Sequence, residues 1–134
     1  MKSRHQVGRD FDDILITSGA QQVMDLTTKS LCNTGDVVLC EAPSFIGSLN
    51  TFRSYQVRLR GIPMDSDGMN MDELEKALKE EKNVKFIYTI PNFQNPSGIT
   101  MSMEKRRAMY APVSYTHLYV YKRQQYTPSA GAAG

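Results

Sequence analysis

Cysteine is scarce in this 134-residue sequence. Cys32 and Cys40 are the only two, with no CxxC spacing and no histidine pair nearby, so neither a zinc site nor a disulfide framework is expected. Both read as small buried residues. Long apolar runs are also lacking: nothing approaches the ~20 residues of a membrane-spanning helix, and the basic residues near the start are followed by polar ones, unlike a secretory signal. The chain is therefore expected to be soluble, cytoplasmic and without a membrane partner. A large excess of charge of one sign is missing too. A formal net charge of +2, with basic residues not gathered into one stripe, offers no footprint for nucleic acid. The length allows one modest domain and falls short of a typical two-domain enzyme.

What is present is an alternation of short β-branched runs with amphipathic patterns, from Asp13 to about Tyr110. This is the pattern of an α/β domain with a largely parallel sheet. Strands are expected at residues 14–17, 37–41, 57–62 and 85–90. Between the first two, Val23, Leu26 and Leu31 fall on one helical face, and Gly35 is suited to the left-handed conformation that closes a helix. Pro43 stops the second strand, after which Phe45, Leu49 and Phe52 mark a second helix. Residues 65–68, DSDG, form a turn. Asn70 is placed to cap a third helix, with Glu73 completing a capping box and Leu74, Ala77 and Leu78 as its apolar stripe. A fourth helix starts at Ser102 and is cut short by Pro112. No repeat is visible.

Three segments carry chemistry. Residues 17–22, TSGAQQ, sit where a strand meets a helix, and free N–H groups with the helix dipole favour a phosphate there. Gly19 permits the tight turn, Ser18 offers a hydroxyl and Gln21 an amide; small residues at such a turn also serve geometry alone. Residues 91–98, PNFQNPSG, follow the last strand at the carboxyl edge of the sheet, where open α/β sheets place ligand crevices. The prolines stiffen this loop. Asn95 then either presents its amide to a ligand or caps its own turn. Phe45 lies just past the second strand at the same edge and is either a flat surface for a planar ligand or part of the core.

Together these pieces resemble the fold-type I pyridoxal-phosphate enzymes, and within them the aminotransferases of the α-aminoadipate and kynurenine type. The match rests on four blocks in order: ILITSGAQQ at residues 14–22, GDVVLCEAPSF at 35–45, DSDGMNMDELEKAL at 65–78 and FIYTIPNFQNPSGITMSMEKRRAM at 86–109. The resemblance implies a three-layer α/β/α large domain with a mostly parallel sheet, incomplete here, over residues 1–111. It implies that Ser18, Gly19, Ala20 and Gln21 bind the phosphate of pyridoxal 5'-phosphate (PLP). It also implies that Phe45, often Tyr in relatives, stacks on the pyridine ring and that Asn95 donates to the phenolic oxygen.

The family places its Schiff-base lysine, the acidic partner of the pyridine nitrogen and the carboxylate-clamping arginine beyond the point where these blocks end. Lys29, Lys76, Lys79, Lys82 and Lys105 read as solvated helix-face residues. No catalytic residue and no metal ligand is therefore expected in this chain, and it should be inactive alone, truncated at both ends, with strands meant to be separated by missing neighbours. The intact parent would exchange an amino group between an amino acid (aminoadipate, aromatic or branched-chain) and a 2-oxo acid, as a homodimer. Residues 112–134 read as a non-native or disordered tail, similar to translated sequencing-adapter read-through. The alternatives are the effector-binding domain of a MocR-type transcription regulator, which the PNFQNPSG form disfavours, and an assembly artefact with no function.

Overall fold

A computed structural model describes residues 13–110 and the backbone of residues 119–122. In chain order the elements are α1 (Gly19–Leu31), β1 (Val37–Ala42), α2 (Ile46–Ser54), β2 (Arg58–Asp65), β3 (Gly68–Met69), α3 (Met71–Glu80), β4 (Val84–Thr89), α4 (Met103–Ala108) and β5 (Tyr119–Lys122). They build one sheet in the order β3-β2-β1-β4-β5. All pairings are parallel except β2 with β3, a hairpin closed by Ser66 and Asp67 that puts Asp65 opposite Gly68.

Strand β1 lies at the centre and is buried on both faces, which explains its unbroken apolar run Val37-Val38-Leu39-Cys40. Alternate residues serve opposite layers. Val37 and Leu39 join Ile62, Ile87, Leu74, Ala77, Met101 and Met109 on the α3 side. Val38 and Cys40 join Met24, Phe52, Val57, Phe86 and Tyr88 on the α1–α2 side. Phe52 is the anchor of the second layer, with its ring edge-on to Phe86 at 5.5 Å and to Tyr88 at 5.3 Å. Burying a phenylalanine contributes roughly 2–3 kcal/mol, and each such ring pair about 1 kcal/mol more. The three-layer α/β/α arrangement anticipated from the sequence is thus present.

The cap anticipated at Asn70 is present, although its own N–H goes to the Pro63 carbonyl and not to Glu73 as in a full capping box. The helix start expected at Ser102 is capped too. Asn70 Oδ1 accepts the Glu73 N–H at 2.9 Å, and Ser102 Oγ accepts the Lys105 N–H at 3.2 Å. Other expectations need correction. Residues 14–17 form no strand: Ile14, Leu15 and Ile16 are 46%, 77% and 87% exposed, because no described strand lies alongside to take their hydrogen bonds. On α1 the buried positions are Met24 and Thr28, while Val23 and Leu26 are only half-buried. That helix ends at Cys32 rather than Gly35, and Gly35, at φ +84°, serves the turn leading into β1. The segment 119–122, given no strand by its pattern, has backbone paired with β4. Its Tyr-Val-Tyr sequence is strand-prone and β4 offers an edge. The rest of the expected tail, residues 112–118 and 123–134, lies outside the described residues.

Candidate functional site

Because β1, β2 and β4 are parallel, the segments following them emerge at one edge of the sheet. The segment 43–47, running from the end of β1 into the first turn of α2, is the middle of that edge, and two glutamines tie the other candidate segments to it. Gln21 Nε2 donates to the Gly47 carbonyl at 3.4 Å and to Thr51 Oγ1. Gln94 Nε2 donates to the Pro43 carbonyl at 2.8 Å. The start of α1 and the loop 91–98 are therefore both anchored within two residues of Phe45.

At the start of α1, Ser18 holds the N-cap position without a side-chain capping bond. Its N–H donates to Gln22 Oε1 at 2.6 Å and that of Gly19 to the Thr17 carbonyl at 3.0 Å. Gly19 adopts φ +78°, a conformation that glycine takes without strain. The Ala20 and Gln21 N–H groups lie in the first turn, where no intrahelical carbonyl is available to them, so they present donors and the positive end of the helix dipole. Phe45 is half-buried at the N-cap of α2 and packs against the α1–α2 core layer, as Ala20 also does. The core reading of Phe45 therefore holds in part, since the residue packs on this layer while remaining only half-buried.

The loop 91–98 is held from both sides. Arg106 donates from Nε to the Met101 carbonyl at 2.9 Å and from one terminal nitrogen to the Pro91 carbonyl at 2.8 Å and Asn92 Oδ1 at 2.5 Å. Gln94, only 1% exposed, accepts the Ser97 N–H at 2.9 Å and the Ser97 hydroxyl at 2.6 Å on Oε1. Closing the turn is thus the task of Gln94, and Asn95 beside it stands exposed. Phe93, at φ +47° and 65% exposed, also stands on the outer side.

Beneath the site, Glu41 is a buried carboxylate. It accepts the Thr89 hydroxyl at 2.5 Å on Oε1 and the Ile90 N–H at 3.1 Å on Oε2, clamping the ends of β1 and β4 together. Burial raises its carboxyl above the ordinary value, and the bonds from Thr89, Ile90 and Gln94 pull it partly back. Cys40 is no nucleophile: burial, then the charge of Glu41, pushes its thiol up to about 11. No cluster of metal-ligating side chains occurs among the described residues.

Pattern reasoning singled out Ser18, Gly19, Ala20, Gln21, Phe45 and Asn95, and the side chains of Gln21 and Gln94 tie the segments that carry them to residues on either side of Phe45. It missed Glu41, Gln94, Arg106 and Gly47. A carboxylate inside the apolar run VVLCEA is a signal that was available for Glu41. Gln94 and Arg106 carry none, since their roles arise from partners 51 and 15 residues away.

The donor set suits a phosphorylated planar molecule: N–H groups and a hydroxyl for an anion, an aromatic face, and a carboxamide. Ser44 Oγ, in the same segment, is buried and finds no hydrogen-bond partner among the described residues. Among those residues no helix is long and apolar enough to cross a membrane.

The chain is similar in sequence and in fold to known proteins. The sequence profile of aminotransferase class I and II matches residues 1–121. Aromatic-amino-acid aminotransferase 1 of Thermococcus litoralis is 42% identical over 113 residues, covering 81% of this chain and 27% of that protein. An uncharacterised HTH-type transcriptional regulator of Bacillus subtilis, YisV, is 40% identical over 94 residues, covering 70% of this chain and 19% of its own. The crystal structure of Pyrococcus horikoshii kynurenine aminotransferase, in complex with PMP, superimposes with a TM-score of 0.81 at 39% identity, covering 89% of this chain and 30% of that one. The chain spans less than a third of the length of each of these relatives. With its partial, mostly parallel α/β sheet and these relatives, the chain belongs to the class I and II aminotransferase family.

Proposed function

We propose that this chain is the cofactor-gripping part of a PLP-dependent aminotransferase. The parent moves an amino group between an amino acid of the aminoadipate, aromatic or branched-chain class and a 2-oxo acid. The observation that carries the reading is the meeting of the α1 start and the 91–98 loop on segment 43–47, each through one glutamine amide. PLP, when bound, supplies the electron sink for bond breaking at the amino-acid α-carbon. The chain's own residues hold it. Ser18, Gly19, Ala20 and Gln21 take the phosphate, where the N–H groups and dipole offset its charge. The Phe45 ring covers the pyridine face, and the Asn95 amide donates to the ring oxygen.

The reaction also takes an amine that joins the cofactor covalently and shuttles a proton. No lysine whose side chain is described is placed for it. Lys105 is bound to Asp65 and Asp67, Lys85 is paired with Asp36 at the opposite end of the sheet, and Lys29, Lys76, Lys79 and Lys82 are exposed. We therefore propose that the 134-residue chain binds PLP without transferring amino groups, and that its parent is a cytoplasmic homodimer. The test is borohydride reduction of the purified chain with PLP, followed by peptide mapping. The expected result is no unique labelled lysine and no amino transfer; stoichiometric labelling of one lysine with turnover would sink the reading.

The match to the Bacillus subtilis regulator supports a second reading, as the effector-binding domain of a regulator. The PNFQNPSG form of the loop favours the enzyme. Reading the source DNA in both directions separates the two: a downstream lysine block belongs to the enzyme, an upstream winged helix to the regulator.

A further inference from the structure

Gln94 uses all of its polar groups. Its N–H donates to the Ile99 carbonyl at 2.9 Å and its carbonyl accepts the Gly98 N–H at 2.5 Å, which shapes the loop around it. Its amide oxygen takes both donors of Ser97, and its amide nitrogen crosses to the Pro43 carbonyl at 2.8 Å, 51 residues away in sequence. The same amide lies against Glu41, whose carboxylate already joins β1 to Thr89 and Ile90. Gln94 itself is 1% exposed, so a polar group of its side chain left without a partner is costly.

A primary amide is suited to this place because it donates on one side and accepts on the other. A carboxylate of the same length keeps the acceptor for Ser97 but loses the donor for Pro43. A thioether of similar length loses both. Asn95 adjoins Gln94 in the chain, and Phe45 lies two residues beyond Pro43. The Gln94 amide is therefore the described link that sets the spacing between the exposed carboxamide and the half-buried Phe45.

We infer that Gln94 is a positioning residue that holds Asn95 and Phe45 in register for one planar ligand. This rests on the reading that those two residues contact PLP. Gln94 does not touch the reacting atoms; its effect is transmitted through the loop it shapes and through the Pro43 carbonyl.

The test uses the whole 134-residue chain with Gln94→Met and Gln94→Glu, each first compared with the parent chain by circular dichroism. Amide hydrogen exchange is read at Ser97 and Gly98 in the loop, and at Ser48 and Leu49, whose N–H groups bond to the Phe45 carbonyl. Gln94→Met is expected to speed exchange at both places by about tenfold. Gln94→Glu is expected to speed Ser48 and Leu49 while Ser97 keeps its protection, a split that general destabilisation does not produce. Unchanged Ser48 and Leu49 in both variants would overturn the coupling. Equilibrium dialysis with PLP then tests the ligand: the parent chain binds, and Gln94→Met binds about tenfold more weakly. Equal affinity overturns the positioning role alone. No PLP binding by the parent chain overturns the cofactor reading and the positioning role with it, whatever the exchange data show.

Discussion

The ring of Phe45 occupies the place where a side chain of residue 47 would begin: a Cβ on Gly47 would stand 2.6 Å from Phe45 Cε1 and 2.9 Å from Cζ. Glycine at position 47 thus lets the ring fold back over the start of α2. Gly47→Ala is expected to push the ring aside. Alanine favours a helix over glycine by up to ~1 kcal/mol, so thermal stability should change little in sum. PLP affinity, measured by dialysis, should fall several-fold. An unchanged affinity would show that the ring's position is irrelevant to the ligand.

Glu41 makes stability depend on pH in a definite direction. Its folded carboxyl is raised above the ordinary 4.5, mainly by burial, so the folded state binds the proton more tightly than the unfolded chain does. That contribution is complete below about pH 4.5 and is lost as pH rises through the folded value. Glu41→Gln removes the titration. Urea unfolding from about pH 4.5 to about pH 8 should show the variant gaining relative to the parent as pH rises. Parallel curves would rule the buried carboxyl out as the source.

Lys105 works in the opposite direction. Its Nζ lies 2.5 Å from Asp65 Oδ2 and 2.8 Å from Asp67 Oδ1, joining α4 to the β2–β3 turn. The hydrogen bonds from Lys105 hold both carboxyls below the usual 3.8. Their contribution is present above that value and is lost as pH falls through the lowered ones. Lys105→Met should therefore be less stable than the parent at neutral pH, with the gap closing in acid. Because both aspartates are partly exposed, the neutral gap should also shrink in high salt. A gap that persists in strong acid would point to packing instead.

Leu15 and Ile16 are 77% and 87% exposed, and adjacent apolar residues on a surface promote association. Replacing both with lysine should leave unfolding free energy within about 0.5 kcal/mol and lower any self-association seen by sedimentation velocity. A large loss of stability would mean that these residues are covered in solution.

Much of this protein was legible in the sequence. A strand at residues 37–41 was expected from its β-branched apolar run, while its place at the centre of the sheet, buried on both faces, came from the structure. Asn70 and Ser102 had to begin helices, since each places an oxygen within reach of an N–H three residues on. Phe45, Asn95 and the turn at Gly19 could be singled out because strand ends and glycine-bearing turns are local features. Other matters were decided only by the tertiary structure. Residues 14–17 have every local mark of a strand, yet pair with no strand among the described residues, because a strand exists only where a neighbour supplies its hydrogen bonds. Segment 119–122 pairs with β4 because that edge is there to receive it. Which of two adjacent amides, Gln94 or Asn95, turns inward depends on a carbonyl at Pro43 that only the folded chain brings near. Periodicity and turn chemistry act over a few residues, whereas the joining of the site depends on hydrogen bonds between segments tens of residues apart.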